Sequence, residues 1–142
     1  MRVEKVSSIL IIVMAVSFIL GACVPATDPS SLLSGGLFLD PDGSQPAGKY
    51  DARAVFYYIV TLDQPHPDSV LQASWVAVET NRADANYVIK IDEVTPIPDE
   101  VVFTLENEGN FWPTGQYRVY LYLDGVEIQT IDFEVFHDYF SE

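Results

Sequence analysis

At 142 residues the chain has room for one domain of ordinary size, and its 21 Asp and Glu against 7 Lys and Arg give a formal net charge of −14. That balance excludes a nucleic-acid binder, because phosphate contact needs a basic face and Lys49, Arg53, Arg82, Lys90 and Arg118 are too scattered to make one. The acidity reads as a repelling, soluble surface, with a cation site as the alternative. The single cysteine, Cys23, excludes an internal disulfide.

The chain opens with Arg2 and Lys5, continues through an almost wholly apolar run from Val6 to Leu20, and reaches Leu20-Gly21-Ala22-Cys23. Basic residues, an apolar core and small residues before a processing point make a secretory signal. The apolar run of about 15 residues falls short of the roughly 20 that span a bilayer as a helix. These four residues match the lipobox, and the segment resembles the leaders of bacterial lipoproteins. The resemblance implies cleavage after residue 22, a diacylglyceryl lipid on the Cys23 sulfur, and an extracytoplasmic protein anchored to a membrane of the bacterial envelope. Val24 follows the cysteine, so the Asp that resembles an inner-membrane retention signal is absent there, and the membrane is left open. From Val24 to about Gly36 the residues are Pro, Ser, Gly and other small types, which predicts a tether reaching at most roughly 45 Å when extended.

The expected organisation is therefore a signal peptide at 1–22, lipidated cysteine and tether at 23–49, a folded domain at 50–136 and a tail at 137–142. Leu37-Phe38-Leu39 is a possible first short strand, ended by Asp40-Pro41-Asp42-Gly43. That tetrapeptide reads as a turn; a calcium loop would need further spaced carboxylates and a closing Glu. Arg53 to Leu62 is aromatic and β-branched on both faces, as in a strand covered on both sides. Ser69 to Thr80 alternates, with Leu71, Ala73, Trp75 and Ala77 on one face and Gln72, Ser74, Val76 and Val78 on the other. Tyr87 to Asp92 is a further strand, stopped before Pro96 and Pro98. Glu100 to Leu105 follows, with Val101, Phe103 and Leu105 alternating. The loop Glu106 to Thr114 contains Trp112, which either plugs the end of the domain, the preferred reading, or protrudes from it.

Gly115 to Val135 is a hairpin turning at Asp124-Gly125. Tyr117, Val119, Leu121 and Leu123 share one face of its first strand, and Ile131, Phe133 and Val135 share one face of the second. An unbroken two-residue hairpin would set Val119 opposite Thr130 and Tyr117 opposite Asp132, pairing inward residues with polar ones. One residue must be absorbed, by a bulged turn or a β-bulge within Val126 to Thr130, so that Val119 faces Ile131 and Tyr117 faces Phe133.

Short strands between regular turn signals, with no sustained helical period after Cys23, predict an all-β sandwich. Trp75 within an early strand and Gly115-x-Tyr117-x-Val119 at the start of a late one resemble an immunoglobulin-like antiparallel sandwich of about seven strands. Trp112 to Val135 is similar to the carboxy-terminal end of Ig-like domains in bacterial lipoproteins. The resemblance implies a disulfide-free relative with Trp75, Tyr117, Val119 and Phe133 in the core. In that layout Val76, Val78, Arg118, Tyr120 and Tyr122 point outward from one sheet. Tyr beside Arg is the composition of recognition surfaces. The competing readings of this face are that Tyr is simply a good strand former, or that tether or tail covers it.

Catalysis has little to draw on. His66, between prolines, and His137 read as solvated, outside any zinc-binding spacing, and no Ser sits in a Gly-x-Ser-x-Gly turn. The carboxylate pairs Asp92-Glu93, Asp99-Glu100 and Glu106 with Glu108 read as loop surface. The expectation is a non-catalytic interaction module without cofactor or metal beyond its lipid, with Arg118, Tyr120, Tyr122 and Val76 as the candidate partner-binding residues. Its partner would be an envelope protein or a glycan. The alternatives are a structural subunit of an envelope assembly and, behind it, a hydrolase using the loop carboxylates.

Overall fold

The computed structural model describes residues 31–138. Residues 1–22, Cys23, the first residues of the tether and the end of the tail lie outside the described residues.

Eight strands form two sheets. β1 (Leu32–Phe38), β3 (Phe56–Leu62) and β6 (Glu100–Leu105) make a three-stranded sheet in the order β1-β3-β6. β2 (Lys49–Asp51), β4 (Leu71–Thr80), β5 (Tyr87–Val94), β7 (Gly115–Leu123) and β8 (Val126–Phe136) make a five-stranded sheet in the order β2-β8-β7-β4-β5. Every pairing is antiparallel except β2 with β8. The leading segment contributes β1 to one sheet and β2 to the other, and the chain then changes sheet between β2 and β3, β3 and β4, β5 and β6, and β6 and β7. This is the immunoglobulin-like sandwich that the Trp and Tyr positions predict.

The hairpin has the expected absorbed residue. Asp124 and Gly125 take φ of 49° and 81°, the left-handed pair of a two-residue turn. The strands start as Leu123 opposite Val126 and Tyr122 opposite Glu127, but Leu121 then faces Gln129, so Ile128 is the extra residue. Beyond this bulge Val119 faces Ile131 and Tyr117 faces Phe133, and the inward phases of the two strands agree.

The core is aromatic. Phe56 lies at its centre, with ring centroids at 4.6 Å to Tyr50, 5.0 Å to Trp112 and 5.2 Å to Phe133. Trp75, Tyr117, Val119 and Phe133 are all buried there, as the resemblance implies. Stacked, tilted and edge-on ring contacts of this kind add about 0.5–1.5 kcal/mol per pair beyond area burial. The Tyr117 hydroxyl donates to the Pro113 carbonyl at the loop entering β7. Burial pushes its pKa up to about 12. Trp112 plugs one end, with Nε1 donating to the Ala54 carbonyl at 2.9 Å.

The amino-terminal boundary differs from the sequence reading. Residues 32–38, most of them assigned to the tether, are β1 paired to β3, and Lys49–Asp51 is β2, so the domain begins at Leu32 instead of residue 50. The glycines mark close packing here. A Cβ at Gly35 would collide with the Gln129 side chain, whose Nε2 donates to the Gly35 carbonyl at 3.1 Å and whose Oε1 accepts from the buried Tyr58 hydroxyl. This polar clamp ties β1 and β3 to β8 of the opposite sheet.

β3 departs in a second way. Phe56, Tyr58, Val60 and Leu62 are buried, but Tyr57, Ile59 and Thr61 on the other face are only half covered. Part of the cover, at Ile59, is the Asp40–Gly43 turn. Asp40 accepts from the Ser44 and Gln45 amides, both at 3.1 Å, and from the Ser44 hydroxyl, which lowers its pKa. These bonds fix a turn that reaches Ile59 and leaves a cleft of about 280 Å³ beside it.

Candidate partner-binding face

β4 and β7 are neighbours inside the five-stranded sheet, and Trp75 lies opposite Val119 on the core side. Alternation sends the intervening residues outward. Ser74 then faces Tyr120, Gln72 faces Tyr122 and Val76 faces Arg118. On the other side of β7, Arg118 faces Asp132, Tyr120 faces Thr130 and Tyr122 faces Glu127. Arg118, Tyr120, Tyr122 and Val76 therefore share one face, as expected.

Arg118 is held by two partners. Its Nε and Nη2 donate to the two oxygens of Asp132, the second at 3.3 Å, and Nη1 donates to the Tyr120 hydroxyl at 3.2 Å. The guanidinium also lies 5.7 Å from the Tyr120 ring centroid. The bonds to Asp132 first, and to Tyr120 second, raise its pKa further above the ordinary range, so it is charged at any working pH. The Tyr120 and Tyr122 rings stack at 6.2 Å with 26° between planes. Partial desolvation, followed by the nearby Glu127 charge, raises the Tyr122 pKa. The result is a row of large side chains that contact one another along β7.

Two corrections follow. Val76 is only 6% exposed, because Arg118 and Val88 flank it across both neighbouring strands, so it supports the face from below and offers little contact. In its place the exposed apolar surface comes from β5. Ile91, opposite Ser74, is 53% exposed, and Val88, opposite Val76, is 48% exposed. Sequence reading missed both. They lie three positions apart, and only the bulge at Ile89 brings them to one face, so simple alternation cannot find the pair.

The remaining candidate groups do not converge. His66 is mostly covered, with Nε2 3.1 Å from Asp63 Oδ1 and its backbone bridged to Ile97, and His137 packs on the Phe111 ring, so neither is a freely solvated side chain. Asp92 pairs with Lys90 at 2.9 Å, while Glu93 faces the other way along β5. Asp99 and Glu100 stand at the start of β6 and Glu106 just past its end, a separation of roughly 20 Å along the strand. Among the described residues, no three His, Cys, Asp or Glu are placed to hold a metal ion, and no helix is long and apolar enough to cross a membrane.

No protein-family model and no curated protein matches the chain. Among solved structures it is similar to an immunoglobulin-like protein from Pseudomonas aeruginosa, at 14% identity and a TM-score of 0.49, covering 72% of this chain and 92% of that one. It is also similar to part of a β-glucosidase from Listeria innocua, at 13% identity and a TM-score of 0.48, covering 75% of this chain. The chain spans 16% of that glucosidase's length. A third likeness, at 12% identity and a TM-score of 0.43, is to an alkylpurine DNA glycosylase from Pseudomonas fluorescens, covering 71% of this chain and 30% of that one.

Proposed function

We propose that this protein is a lipid-anchored, extracytoplasmic interaction module without catalytic activity, which holds an envelope protein or a glycan on the outer face of its five-stranded sheet. One observation carries the reading. Tyr120 and Tyr122 stack on each other, Arg118 is pinned by Asp132 beside them, and Val88 and Ile91 stand exposed on the same face. Aromatic and Arg side chains that are already ordered offer contact area with little rotamer entropy left to lose on binding. A hydrolase is disfavoured by the separation of Glu100 from Glu106 along β6.

The anchor reading rests on Leu20-Gly21-Ala22-Cys23, with two acyl chains giving the stable attachment that one does not. Because the first strand begins at Leu32, about eight residues separate Cys23 from the domain, and they reach at most roughly 28 Å.

The test is a crosslinked pull-down of the full lipidated chain from its own membranes, beside a Tyr120→Ala, Tyr122→Ala double variant of matched melting temperature. Capture of one partner by the parent alone is the expected result. Equal capture by both moves the site off this face. Aggregation of the delipidated domain that the double variant cures supports the structural-subunit alternative, in which the face is permanently covered.

A further inference from the structure

A second cleft lies at the end of the sandwich away from Ser31. The Ser31 carbonyl accepts from the Asp63 amide where β3 ends, whereas the residues that lead into β3 and those that follow β6 meet at the opposite end, about seven strand residues away. There a cleft of about 330 Å³ is lined by Arg53, Glu106, Asn107, Asn110 and Phe111, together with Ala54 and Val55. That volume is at the lower end of small-molecule sites.

The lining is unlike the sheet face in its chemistry. Phe111 is 46% exposed even with the His137 ring packed against it at 5.2 Å. Around it stand a guanidinium, a carboxylate and two carboxamides, so donors and acceptors are mixed within one small cleft. Arg53 Nε is held to Asp51 Oδ1 at 2.9 Å, and Asn110 Nδ2 donates to the Glu108 carbonyl at 3.1 Å, which order the two walls. Opposite charges in the same cleft favour neither a free anion nor a free cation. A ligand whose hydroxyls both donate and accept, and which carries an apolar C–H face to lay on a phenyl ring, satisfies all of these groups together.

We propose that this cleft binds a neutral pyranose sugar, with Phe111 as the stacking platform and Asn107, Asn110, Glu106 and Arg53 as the hydroxyl partners. The site is separate from the face of Tyr120 and Tyr122 and does not rest on that face binding anything.

The experiment titrates the full-length chain, held in a detergent without a sugar headgroup, with cellobiose, maltose and N,N′-diacetylchitobiose in turn. Calcium chloride and sodium phosphate serve as charged controls. Amide chemical shifts of residues 106–111 are followed together with tryptophan emission, which reports here because Trp112 Nε1 donates to the carbonyl of Ala54, a residue that lines the cleft. Saturable shifts with at least one disaccharide, weakened tenfold or more in Phe111→Ala and in Asn107→Ala and unchanged in the Tyr120→Ala, Tyr122→Ala variant, are the expected result. No shift with any of the three sugars at 50 mM (on the order of the weakest affinities worth reading) overturns the proposal. So do sugar shifts that survive Phe111→Ala, or loop shifts produced by calcium or phosphate alone.

Discussion

β7 carries tyrosines on both of its faces, and the two faces do different work. Tyr117 points inward, is buried against Phe56 and Phe133, and gives its hydroxyl to the Pro113 carbonyl. Tyr120 and Tyr122 point outward from the same strand, half covered by each other and by Arg118. The residue type is the same and the backbone is continuous. What separates a core tyrosine from a surface one is its phase along the strand, and that phase is fixed by the partner strands, above all by the bulge at Ile128. The inner face should therefore answer to substitution as stability, and the outer face as binding.

The largest expected effect tests the inner face at its centre. Trp75→Ala removes a fully buried indole that meets Phe56, Tyr58 and Phe133, and should lower unfolding free energy by about 3–5 kcal/mol in chemical denaturation. A loss below about 1 kcal/mol would contradict the core assignment and the strand phases built on it. Next in size is Gly35→Ala, which places a methyl group where the Gln129 carboxamide lies. Either the clamp to Tyr58 opens, leaving buried polar groups unpaired, or β1 shifts, and a loss of about 1–3 kcal/mol follows. If Gly35→Ala were neutral or stabilising, the glycine would be flexible chain after all.

How far each face was legible in the sequence follows from which interactions set it. The hairpin register was legible because both strands announce their inward residues, and the two phases agree only if one residue is absorbed. Tyr117, Val119 and Phe133 were placed by the same alternation, and the resemblance to Ig-like domains put Trp75 in the core with them. Alternation gives the side of a sheet, however, and not the shelter that neighbours provide on that side. Val76 was therefore read as contact surface, although Arg118 and Val88 cover it. Val88 and Ile91 escaped because the bulge at Ile89 breaks the period that would have joined them. β1 was hidden for a different reason: Gly35 and Gly36 look like tether, and the side chain that requires Gly35 to be small, Gln129, is 94 residues further along the chain.

Tyr117→Phe is the milder test of the inner face, with a loss of about 1 kcal/mol from the missing hydroxyl bond and no change in capture of a partner. It has a pH signature. Burial raises the folded-state pKa of Tyr117 to about 12 and also raises those of Tyr50 and Tyr58, against about 10 in the unfolded chain. The unfolded state thus gives up its phenolic protons first. The stability tied to these groups is complete below pH 10 and is lost as pH rises toward 12 and beyond. Denaturant midpoints measured between pH 9 and pH 12 should fall, and should fall less steeply in Tyr117→Phe. A parallel decline in both proteins would place the titration elsewhere.

The outer face should lose little stability for the size of the side chains removed, and there the two kinds of tyrosine separate most sharply. Tyr120→Ala with Tyr122→Ala removes two half-exposed rings and one hydrogen bond to Arg118, while the guanidinium keeps both of its bonds to Asp132. Across the neighbouring strands the two rings face Ser74 and Thr130, and Gln72 and Glu127; such surface pairs are worth roughly 0.2–1 kcal/mol each, so the double variant should unfold within about 2 kcal/mol of the parent. Over the same substitution, capture of a partner should disappear. If the double variant instead lost as much stability as Trp75→Ala, the outer tyrosines would belong to the folding core. The surface on which a partner is proposed to sit would then have to be sought at another part of the sandwich.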